Sequence, residues 1–233
     1  MRSLANLVCL LLLSSIHISR AEVDWAGALK DMPLQLGNSP LDRTNCVEWI
    51  LKSFRSNSVV KGIVFLPGST DELYLARRVN PRLLSPAPSL WQGIQSITQG
   101  GFIHATFRAP FLLLHTSSDV LEPAIAEEPG VVLPPAKGER AVPNFLCLDR
   151  NWEKLQPELE HWLGVSVNPS GSNRKSWHFY RHNLTGFQLS PHELLEAVCL
   201  SGKTRTIIDK RGGLLRNRIQ IIFSPDKRLL ERR

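Results

Sequence analysis

Short runs of β-branched and aromatic residues alternate with capped helical segments along this chain, and that alternation limits the folds open to it. Val59–Leu66 is one such run, dense in Val, Ile and Phe, and it reads as a central strand. Pro67-Gly68 then turns the chain, and Ser69 with Glu72 has the spacing of a capping box that opens a helix. After residue 144 the signals run strand, helix, strand, strand, helix, strand, strand. Neither a helical bundle nor a sandwich gives that order. The pattern predicts an α/β or α+β fold, with mixed sheet(s) and flanking helices.

The remaining elements follow from period and punctuation. Asn45 and Glu48 predict a helix start, with Val47, Ile50, Leu51 and Phe54 at helical spacing as far as Ser56. A second box at Ser89 and Gln92 precedes Leu90, Ile94 and Ile97, and Gly100-Gly101 stops that helix. Phe102–Phe107 and Phe111–His115 read as a hairpin across Arg108-Ala109-Pro110. Phe145–Leu148 is a strand. Trp152, Leu155, Leu159, Trp162 and Leu163 then define a helix ended by Gly164, which Pro157 is expected to kink or split. Val165–Val167 reads as a brief strand, 168–175 as a polar turn and Trp177–Tyr180 as extended. Ser190-Pro191-His192-Glu193 combines a cap, a proline at the first helical position and the boxing acid. Leu194, Leu195 and Val198 follow on its buried side, and Gly202 ends it. Thr204–Ile208 and Ile219–Phe223 are two further strands.

Composition divides the chain. Five prolines and four acidic residues fall between 121 and 143, where neither helical nor strand rhythm persists. The expected organisation is an N-terminal α/β region at 22–122, a proline-rich linker or long loop at 123–143, and a C-terminal α+β region at 144–233 with a basic end. Two small domains joined by a semi-rigid linker and one domain with a long excursion both fit this pattern.

Residues 1–21 have the three parts of a cleavable export signal. Arg2 precedes an apolar run from Leu4 to Leu13, and Ser19-Arg20-Ala21 offers small residues at the cleavage positions. The run is too short to cross a bilayer, which takes about 20 apolar residues. The mature chain is therefore expected to be exported, to a periplasm or to the medium, with no transmembrane segment. Cys46, Cys147 and Cys199 remain after cleavage. An oxidising compartment permits a bridge, but an odd count leaves one thiol over, and spacing does not select a pair.

Charge is concentrated at the end. Ten Lys and Arg face three acids between 201 and 233, whereas residues 22–200 carry 16 basic and 18 acidic groups. Lys210, Arg211, Arg216 and Arg218 gather on and beside one connection, making them the candidate contacts for an anion or partner. An anionic polymer, an anionic membrane surface or an acidic protein would suit them. Nucleic acid is the poorest fit, because export argues against it and the basic run is not interleaved with aromatics.

Residues with catalytic chemistry are scattered. His104, His115 and Asp119, with Ser118 beside them, could supply base, orienting acid and nucleophile if the two strands paired. The turn at 67–72 joins a strand end to a helix start, where α/β proteins bind ligands, but phosphate-loop and dinucleotide fingerprints are absent. His178, Tyr180 and His182 share one face if extended, and could contact a ligand. No acid or cysteine completes a metal set there, so neither metal nor cofactor is predicted. Asn183-Leu184-Thr185 has the form of a glycosylation acceptor. The leading expectation is an exported, non-catalytic binding or interaction protein that uses its basic C-terminal region. The alternatives are an envelope or extracellular hydrolase of His/Asp chemistry and a structural subunit of an envelope assembly.

Overall fold

The computed structural model describes residues 24–35, 43–57, 59–70, 88–117, 119, 125–126, 141–164, 166–170, 181–202, 204–208 and 218–223. In chain order these form α1 (Trp25–Lys30), α2 (Arg43–Ser53), β1 (Gly62–Phe65), α3 (Leu90–Thr98), β2 (His104–Arg108), β3 (Phe111–His115), β4 (Ile125–Ala126) and β5 (Val142–Arg150). α4 (Trp152–Leu163), β6 (Ser166–Ser170), β7 (His182–Leu189), α5 (Pro191–Ser201), β8 (Thr204–Ile208) and β9 (Arg218–Phe223) complete the set. Residues 67–70 are helical, directly after β1. The predicted signal peptide, the 171–180 segment and most of the proline-rich stretch lie outside the described residues.

Five strands make the central sheet, in the order β2-β3-β1-β7-β5. β1 and β3 are parallel; the other neighbours are antiparallel. Side-chain alternation explains why both faces are covered. Val64, Phe111, Leu113, Phe145, Cys147 and Leu184 point to one side, where they pack with α4 and α5. Ile63, Phe65, Leu112 and Leu114 point to the other, where α2 and α3 bury Ile50, Leu51, Ile94 and Ile97 against them. The chain has a mixed α/β fold: a multi-stranded sheet with flanking helices. The sheet draws β1, β2 and β3 from before the proline-rich stretch and β5 and β7 from after it, with β1 paired directly to β7.

A second sheet of four strands runs β4-β8-β9-β6. The expected terminal hairpin forms, with Thr204 opposite Phe223 and Ile208 opposite Ile219. β6 adds in parallel to β9, and Val167, in register with Ile219, is fully buried in the core beside α4. Prolines within strands sit at the margins of the sheets. Pro143 lies in β5 and Pro169 in β6, both edge strands, where a missing N–H leaves no ladder bond unmade.

Local capping was predictable where the side chain acts on its own turn. Ser89 with Gln92, and Ser190 with Glu193, each form the reciprocal capping box. Three local expectations are corrected. α2 already includes Arg43, so Asn45 lies inside its first turn rather than ahead of it. Ser69 is inside the turn at 67–70, and its hydroxyl donates to the carbonyls of Leu66 and Leu114, stitching β1 to β3. α4 runs unbroken through Pro157, capped by the Asn151 side chain and closed by Gly164 at φ 65°. Burial of Trp152, Leu155, Leu159 and Leu163 on one face holds the helix together across the missing donor. The strand at 166–170 also extends into the stretch read as a polar turn.

None of Cys46, Cys147 and Cys199 is in a disulfide, and all three thiols are buried. Burial pushes the Cys147 thiol up to about 12, so it stays protonated, and it donates to the His182 carbonyl. Asn183 is 3% exposed within β7, between β1 and β5, so the folded chain leaves no room for a glycan on it.

Candidate functional site

Three groups of chemistry-bearing residues stand out. The first is at the carboxyl ends of the parallel strands β1 and β3, the end at which open α/β sheets hold ligands. β2 folds back on β3 in register, which sets His104 directly opposite His115. The two rings stand 5.7 Å apart between centroids, inclined at 38°. His104 is exposed and His115 is 8% exposed. His115 Nδ1 lies 2.9 Å from the Thr116 carbonyl, which can only accept, so Nδ1 carries the proton. Its Nε2, 2.9 Å from the Thr106 hydroxyl, is then the acceptor of that O–H.

Asp119 is held at the same end of the sheet. Its Oδ2 accepts from the Thr116 amide at 2.8 Å and the Thr116 hydroxyl at 3.0 Å, and its Oδ1 accepts from the Gly68 amide at 3.1 Å. The carboxylate thus ties the loop after β3 to the helical turn after β1. Only glycine fits at position 68, where a Cβ would stand 2.5 Å from Asp119 Oδ2. His104, His115 and Asp119 come together at this end of the sheet, where His115 bonds to Thr106 and Thr116 and Asp119 bonds to Thr116 and Gly68. Ser118 lies outside the described residues. Thr106 and Thr116 were not singled out by the sequence; Thr106 sits two residues after His104, a period-two relation that places both on one face.

The second group surrounds His182. It is fully buried at the start of β7, with Nδ1 2.8 Å from the Ser201 hydroxyl, which donates in turn to the Val198 carbonyl. The indole of Trp152 is 6.3 Å away. Among the described residues His182 Nε2 has no hydrogen-bond partner. Burial lowers the imidazole to about 4, against a smaller opposing pull from the Val198 carbonyl, so the ring is neutral. His178 and Tyr180, read as its companions, lie outside the described residues.

The third group is the basic end. Along β8 and β9, Arg205 pairs with Ile222 and Ile207 with Gln220, while Arg218 pairs with Ser166 of β6. In register, Asn168 of β6 stands opposite Gln220 of β9. Ser166 is exposed. Lys210, Arg211 and Arg216 belong to the β8–β9 connection, outside the described residues.

Among the described residues no three His, Cys, Asp or Glu gather as a metal-binding set, and no helix is long and apolar enough to cross a membrane. No family model matches the chain, and no similarity was found to the curated proteins or to the solved structures. The fold class therefore rests on the sheet topology itself.

Proposed function

We propose that this chain is an exported, non-catalytic binding protein that uses its basic C-terminal region to engage an anionic partner, with an anionic polymer as the leading candidate. The observation that carries this reading is the register of β6, β8 and β9. It joins β8, which carries Arg205, to β9, which carries Arg218, at the end of the chain where ten Lys and Arg face three acids between 201 and 233. Concentrated positive charge attracts polyanions by long-range steering, and salt screens that attraction. The connection at 209–217 adds Lys210, Arg211 and Arg216 to that charge. Export rests on the signal-like residues 1–21.

The test is binding of the mature chain to immobilised polyglutamate and polyphosphate at low and high salt. The expected result is retention that falls with salt and is lost in Arg205→Glu/Arg218→Glu. Salt-independent behaviour, or retention unchanged in the double variant, would sink the proposal. Anionic vesicles and an acidic protein in parallel identify the partner class. N-terminal sequencing after secretion should begin at Glu22; an uncleaved Met1 would remove the exported part of the reading.

The hydrolase account depends on His115 acting with a carboxylate. The bonds of His115 to Thr106 and the Thr116 carbonyl, and of Asp119 to backbone amides, favour the binding account over it.

A further inference from the structure

Two imidazoles directly opposite one another on an antiparallel ladder form a chelate if their lone-pair nitrogens can converge. His104 and His115 meet that condition in position: they are register partners, and their rings are 5.7 Å apart. A zinc-type ion about 2.0–2.1 Å from each nitrogen lies roughly 3.2 Å from each ring centroid, so a tetrahedral angle separates the centroids by roughly 5 Å. The observed spacing is within a small side-chain rotation of that value. His104 is exposed on β2, an edge strand, and is free to make the rotation.

His115 is oriented for the same purpose. A ligating histidine usually donates its second ring N–H to a carbonyl or carboxylate, which fixes the tautomer and raises the basicity of the other nitrogen. His115 does this with the Thr116 carbonyl, leaving the Nε2 lone pair for which the Thr106 hydroxyl is the present donor. Thr106 lies on the same strand face as His104, so an ion binding between the rings would displace that O–H from Nε2. We propose that His104 and His115 form a two-nitrogen site for a divalent transition-metal ion of the zinc or copper class. Imidazole suits these ions, whereas calcium and magnesium demand oxygen. Since no third protein ligand gathers among the described residues, the other coordination positions are left to water or to a donor on a bound molecule.

The experiment uses the mature chain without an affinity tag, stripped with chelator and titrated with Cu(II) and with Zn(II) by calorimetry, alongside electron paramagnetic resonance of the copper form. One equivalent should bind, with hyperfine structure from two nitrogens. Loss of one arm of a chelate removes its effective-concentration advantage, so His104→Ala should bind roughly a hundredfold more weakly, with unchanged circular dichroism because the side chain is exposed. His115→Gln should lose affinity likewise. Thr106→Val, which removes the competing hydroxyl, should bind as tightly as the natural chain or more so. His161→Ala/His178→Ala/His192→Ala should bind normally. Undiminished binding in His104→Ala, or a weaker site in Thr106→Val, would overturn the assignment.

Discussion

His182 Nδ1 lies 2.8 Å from the hydroxyl of Ser201, joining the first residue of β7 to the last residue of α5. The ring is enclosed, and protonating it would place a charge where Nε2 has no acceptor among the described residues. Its folded value of about 4 lies below the ordinary 6.5, so in that window the unfolded chain binds the proton first. Stability is therefore complete above pH 6.5 and lost as pH falls toward 4, by up to about 3 kcal/mol. Urea unfolding from pH 7.5 to 4 should record that loss, and His182→Phe should flatten it. An unchanged slope in the variant would assign the loss to other groups.

Gly202 exists to admit that ring. A Cβ there would stand 2.4 Å from His182 Cε1, and the imidazole is held by Ser201 on one side and packed beside Trp152 on the other. Gly202→Ala should cost about 2 kcal/mol, as overpacking does. In a His182→Ala background the same substitution should cost much less, because the two residues share one contact. Denaturant midpoints of the four chains measure the coupling.

Asp119 should be worth more to the fold than its position on a loop suggests. Asp119→Ala strands the Gly68 and Thr116 amides that its two oxygens accept from, at an expected cost of about 2 kcal/mol. Asp119→Asn keeps one oxygen acceptor and should lose less. Thermal unfolding of both variants tests the order.

Glu193 serves two partners, closing the capping box at Ser190 and pairing with Lys61 at 2.7 Å. Burial pushes its carboxyl upward, but Lys61 and the Ser190 amide outweigh this and leave it below the ordinary 4.5. The stabilisation is present above pH 4.5 and lost as pH falls below it. Glu193→Gln should cost about 1 kcal/mol at pH 7 and converge on the natural chain in acid. A constant difference across pH would mean that the charge is not what matters.

What could be read from the sequence was local. The boxes at Ser89 and Ser190 act within four residues, and the hairpin of β2 and β3 follows from the short connection at Arg108-Ala109-Pro110, so His104 and His115 could be expected to meet. β7 could not be seen. Beyond the extended run at 177–180, residues 181–189 carry no strand signal, because His182, Asn183, Thr185 and Gly186 break the alternation of a buried strand. The structure makes those polar groups acceptable through distant partners: Ser201 for His182, and the Asp149 amide for Asn183 Oδ1. Similarly, Asp119 was read as a possible orienting acid for histidine, since its amide partner Gly68 is 51 residues away. The basic cluster was legible as composition, whereas the pairing that sets Ser166 of β6 opposite Arg218 of β9 was not.

The seating of β7 between β1 and β5 has a consequence for how the chain is made. While a growing chain emerges from the ribosome, β1, β2 and β3 are available long before residues 183–186, which pair with β1. Until then β1 is an open edge bearing Ile63, Val64 and Phe65, the kind of surface that recruits a wrong strand. Closing the ladder joins segments more than a hundred residues apart, so the sheet can be completed only after residue 186 has been made, and its assembly is intrinsically slow. The nascent first half is thus a client for any factor that shields strand edges.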